Sequence, residues 1–105
     1  MKTQKITDWI VSNFRQYSNF ISLLGIYGSI ARGSKNPNDC DLLIVVELDV
    51  ESEMWLCVRQ QIISLRKDFF ELFRLPLNVA FLIEEEWIEN KFIFRDLLQI
   101  DLPLT

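Results

Sequence analysis

The chain of 105 residues contains no histidine. Without an imidazole it cannot assemble a Ser-His-Asp or Cys-His catalytic arrangement from its own residues, and it offers no histidine ligand to zinc. Chemistry here has to run on carboxylates, hydroxyls, amines or thiols. Cysteine is limited to Cys40 and Cys57, which stand far apart and form no CxxC pair; they suit the reduced thiols of a cytoplasmic protein better than a disulfide. A basic surplus is also missing. Eleven Lys and Arg against fifteen Asp and Glu leave a formal charge of -4, the wrong sign for coating DNA over a broad basic face. No long hydrophobic run is present: the most apolar one, residues 42–46, falls far short of the ~20 residues that span a bilayer. Asp8, Asn13 and Arg15 break up the start of the chain before a secretory signal could form, so a cytoplasmic location is expected. Glycine is scarce, and Gly25, Gly28 and Gly33 all fall in one short stretch, so backbone freedom is concentrated there.

Half of the residues are apolar, enough for one core and one domain over residues 1–105. Ile6, Trp9, Ile10, Phe14 and Tyr17 recur at spacings of three and four, which predicts an amphipathic helix over most of the first eighteen residues. Residues 23–27 read as a strand ending in the turn Gly28-Ser29, and Ile30-Ala31-Arg32 as the first turn of a short helix. Asn36-Pro37-Asn38-Asp39 is dense in turn formers, and residues 42–46 read as a central strand buried on both faces. Met54, Val58, Ile62, Leu65, Phe69 and Leu72 predict a long helix from about residue 53 to 73, stopped by Pro76. Residues 77–83 form a third strand. Glu84, Glu85 and Glu86 suit the positive end of a last helix from Trp87 to about Leu98. The fold class is α+β, a small mixed sheet flanked by helices. Because the apolar residues of 92–104 surround that last helix, a homodimer or a protein partner is expected to cover it.

One short stretch combines the parts of a phosphate-handling site. A strand ending in Gly28-Ser29 presents N–H groups and a hydroxyl to an anion, and the missing Cβ lets a phosphate approach closely. Asp39 and Asp41 lie two apart at the start of a strand, so both carboxylates project to one face. Such a pair suits Mg²⁺, which takes carboxylate and substrate phosphate oxygens together. Arg32 is as much a candidate for steadying a triphosphate as for a solvated charge. Ser34 and Lys35 are read as a polar turn, Arg66, Lys67 and Arg74 as a solvated helix face, and Trp55, Trp87 and most phenylalanines as core.

With these residues in place, GSIARGSKNPNDCDLLIVV at residues 28–46 resembles the signature of the polymerase-β-like nucleotidyltransferase superfamily, in its minimal branch. The resemblance extends over about residues 23–83. It implies a nucleotidyltransferase-like fold in which Gly28 and Ser29 hold a nucleoside triphosphate and Asp39 and Asp41 bind two divalent metals, while a third carboxylate on a later strand completes the site. The implied activity transfers a nucleoside monophosphate, from ATP for choice, to a protein or RNA acceptor. It also implies a role as an antitoxin beside a helical toxin-like partner. The aligned third position holds Asn78, which can ligate a metal through its carbonyl but brings no charge and cannot take the proton of an attacking hydroxyl. Two expectations follow: a transferase with Asp39, Asp41 and Asn78 at its catalytic centre, or a degenerate relative acting as a partner-binding module.

Overall fold

The computed structural model describes residues 2–47 and 51–103. Helix α1 (Lys2–Phe14) passes through a 3-10 turn (Arg15–Tyr17) into β1 (Ile21–Tyr27). Strand β2 (Cys40–Val46), helix α2 (Glu53–Phe73), strand β3 (Leu77–Ile83) and helix α3 (Glu84–Asn90) follow, and a 3-10 turn (Lys91–Phe94) leads to the short β4 (Leu98–Gln99). The four strands form one mixed sheet in the order β3-β2-β1-β4. β1 runs antiparallel to both neighbours, while β2 and β3 are parallel. The fold is α+β, as expected, and the long helix lies at the predicted residues.

Alternation along the strands divides the core. Leu24, Ile26, Leu42, Ile44, Val46 and Leu77 face α1 and α2, where they join Ile6, Ile10, Phe14, Val58, Ile62 and Phe69 in one buried cluster. Leu43 and Val45 point the other way and are equally inaccessible, so β2 is covered on both faces as its unbroken apolar run requires. The cover on that second face comes from the C-terminal segment. Phe94 packs edge-on against Tyr27 with ring centroids 5.0 Å apart, and Trp87 lies 6.0 Å from Phe94. A Cβ on Gly25 would lie 2.7 Å from Leu97 Cγ, so this glycine is the gap that lets Leu97 seat on the sheet.

Three local expectations are corrected. Residues 30–32 are a set of turns rather than a helix: Arg32 N–H donates to the Gly28 carbonyl at 3.2 Å and Ser34 N–H to that of Ser29 at 3.0 Å. Gly28 and Gly33 bound these turns with φ of 78° and 83°, a left-handed conformation that no helix continues through. The last helix starts at Glu84, three residues early, because the Glu86 carboxylate accepts the Ile83 N–H at 3.0 Å and so caps the first turn. It also ends at Asn90 instead of near Leu98. Beyond it the chain seats Leu97 on Gly25 and pairs Leu98 and Gln99 with β1, so tertiary contacts override the helical spacing. The first helix gives way to the 3-10 turn after Phe14.

Candidate functional site

The site forms where β1 ends and β2 begins. Asp41 is the cross-strand neighbour of Tyr27 in β1 and of Asn78 in β3, so these three positions share one face of the sheet. Asp39 precedes β2 by one residue. The Asn78 side-chain amide donates to Asp39 Oδ2 and to Asp41 Oδ1, at 3.1 Å each. Ionised carboxylates only accept, so the NH₂ side of the amide has to face both of them. The sheet thus brings the expected trio Asp39, Asp41 and Asn78 together, from positions 39 and 37 residues apart along the chain.

Gly28 is needed for more than the turn. A Cβ there would collide with Asp41 Oδ2, so the carboxylate leans directly on the turn backbone. Gly28, Ser29, Arg32, Asp39 and Asp41 line one cleft of about 310 Å³. Its wall also includes Ser34, which the sequence assigned to an ordinary polar turn. Lys35 lies instead at a neighbouring apolar cavity between the loop and the start of α1. Arg66 is used elsewhere, its guanidinium donating to the Leu77 carbonyl at 2.9 Å. Trp55 is core as expected, whereas Trp87 is half-buried, lies outside the core cluster and packs against Phe94.

Two neighbours of the aspartates carry their electrostatic imprint. Burial pushes the Tyr27 phenol above its ordinary value, and the charges of Asp41 and Asp39 push it further. Tyr27 is a site neighbour that the sequence reading missed; its place directly before Gly28 on a strand was the available signal. Cys40 sits between the two aspartates but points into the opposite, fully buried side, and burial followed by the same two charges pushes its thiol up to about 12.

The donor set decides what ion it could hold. Two carboxylates facing an open cleft fit one divalent cation whose remaining ligands are water and substrate oxygens. No third Asp, Glu, Cys or His joins them among the described residues, and the third side chain present is an amide. The residues therefore fit one cation better than the two that the resemblance implies.

In comparisons with known proteins the chain matches no family model, no curated protein and no solved structure. The functional reading accordingly rests on the residues and their geometry.

Proposed function

We propose that the cleft binds a nucleoside triphosphate with a divalent cation, and that the chain is a nucleotidyltransferase-type protein. In this reading a nucleoside monophosphate passes from the triphosphate, ATP for choice, to a hydroxyl of a protein or RNA acceptor, and pyrophosphate leaves. The supporting observation is the convergence of Gly28, Ser29, Arg32, Asp39 and Asp41 on one cleft. The turn backbone and the Ser29 hydroxyl offer donors to phosphate oxygens, and the Arg32 guanidinium adds a fixed positive charge. Asp39 and Asp41 alone would repel a triphosphate, so their placement beside it makes sense with a cation between them. Mg²⁺ held there would polarise the phosphoryl group and offset charge on the leaving pyrophosphate.

Asn78 favours a second reading. A carboxylate at that position could accept the acceptor's proton, whereas an amide cannot. A chain with this substitution keeps nucleotide affinity without transfer and acts through a partner, for instance a helical toxin-like protein docked on the exposed Ile88, Phe92 and Ile93.

Calorimetry and thermal melting with Mg²⁺ and a non-hydrolysable ATP analogue test the shared premise. Ligand at a hundredfold its Kd should add about 2.7 kcal/mol of stability, and Asp39→Ala should abolish the gain. No stabilisation of the parent would remove both readings. Transfer of label from ATP by the parent chain supports the enzyme. Transfer gained only on Asn78→Asp supports the binding module.

A further inference from the structure

Among the described residues β3 is an edge strand, with β2 on one side and no strand on the other. Its sequence, LNVAFLI, carries no charge and no proline, and its register with β2 runs without a bulge from Leu77 to Ile83. That is the composition of an interior strand. None of the devices that usually protect an edge within the strand itself is present.

Its outward backbone groups can be counted. The N–H and C=O of one strand residue point to the same side, and the side alternates along the strand. The Pro76 carbonyl turns inward and accepts from the Cys40 N–H at 2.9 Å. Leu77 turns outward, its carbonyl accepting from Arg66, and so does Ile83, whose N–H donates to Glu86. Val79 and Phe81 share that parity. Side chains thus cap the two ends of the outer edge, while the N–H and C=O of Val79 and Phe81 in its middle have no partner outside the ladder among the described residues.

We propose that two copies of this chain pair through β3, antiparallel about a two-fold axis at Ala80. In that register Val79 of each copy lies opposite Phe81 of the other. These become hydrogen-bonded pairs that exchange both N–H···O=C bonds, so every open group in the middle of the edge is satisfied. The axis falls on Ala80 opposite Ala80, a non-hydrogen-bonded pair in which side chains approach most closely, and the smallest residue of the strand is the one placed there. No like charges oppose each other within the strand. The interface is isologous, as a two-fold demands, and joins the two sheets into one. On the α2 side Arg59 lies over the Phe81 ring, 5.9 Å from its centroid. Asn78 then faces Leu82 of the second copy, whose strand ends one residue later where α3 begins. The pairing stands independently of the nucleotide reading.

Sedimentation velocity at rising concentration, together with hydrogen exchange followed by NMR, tests it on the intact chain. The expected result is a doubling of mass, accompanied by at least a roughly tenfold slowing of exchange at the Val79 and Phe81 amides in the associated form. Ala80→Lys, which sets two like charges against each other at the axis, should remain folded by circular dichroism and stay monomeric. A parent that stays monomeric overturns the proposal, as does a dimer in which those two amides exchange as fast as in dilute solution. Should Ala80→Lys fail to fold, the exchange measurement on the parent decides alone.

Discussion

Gly28 joins backbone conformation to site geometry. Its positive φ of 78° costs an alanine about 1 kcal/mol, and the added methyl would also displace the Asp41 carboxylate. Gly28→Ala should therefore lose more than that in urea unfolding, and should weaken cation and nucleotide binding measured by calorimetry. Gly33, also left-handed, has open space where its Cβ would stand, so Gly33→Ala should lose stability through strain alone and leave binding little changed. The cysteines separate just as clearly. A thiol reagent should label exposed Cys57 in the native protein and reach buried Cys40 only after unfolding. Because Cys40 stays protonated in the fold to about 12 against an ordinary 9.0, the native state binds more protons than the unfolded chain between those values. Its contribution is complete below about 9 and is lost as pH rises toward 12; urea midpoints across that range measure the decline.

Elements show where local preference was followed and where it was overruled. Helix α2 keeps its expected bounds and buries Val58, Ile62 and Phe69 of its apolar spacing, but Met54 and Leu72 at its two ends are exposed and Trp55 is buried instead. Ser52 accepts the Trp55 N–H at 3.1 Å, and Arg74 closes the other end in a left-handed conformation. Ser52→Ala should cost about 1 kcal/mol, read from the urea midpoint. β2 and β3 likewise followed composition, and their parallel register sets Asn78 beside Asp41. Asn78→Asp replaces a shared donor with a third negative charge. It should destabilise the cation-free protein by about 1 kcal/mol, and Mg²⁺ should restore stability more in this variant than in the parent. Thermal melts with and without the ion give the comparison. The C-terminal segment overruled its pattern: spacing that predicted helix to about Leu98 yields a helix of seven residues, a 3-10 turn and a two-residue strand. Helical spacing reports which residues are apolar, and here Phe94 and Leu97 were apolar because they cover a sheet face.

The whole molecule is built around one cluster, to which α1, α2 and three strands all contribute. Phe69, inaccessible and set between Trp9 and Phe73 at centroid distances of 5.2 and 4.7 Å, ties α1 to α2. Phe69→Ala should cost about 3–5 kcal/mol. Against a total of about 5–15 kcal/mol for a domain, that should bring the chain near its unfolding threshold, visible as a large fall in melting temperature. Stability of the whole is also where the edge of β3 matters, since association of folded copies makes the melting temperature rise with protein concentration.

The sequence by itself determined the α+β class, the bounds of the long helix, the buried strand β2 and five of the residues lining the cleft, Gly28, Ser29, Arg32, Asp39 and Asp41. Each of these is encoded by periodicity, turn chemistry or close spacing, which are local properties. Only the tertiary structure decided that Asn78 bridges Asp39 and Asp41, that Tyr27 belongs to the site's surroundings, that Leu98 and Gln99 form a short strand, and that β3 is an edge. Those facts depend on which strands lie side by side, and strand order is a choice among long-range contacts that spacing along the chain does not record.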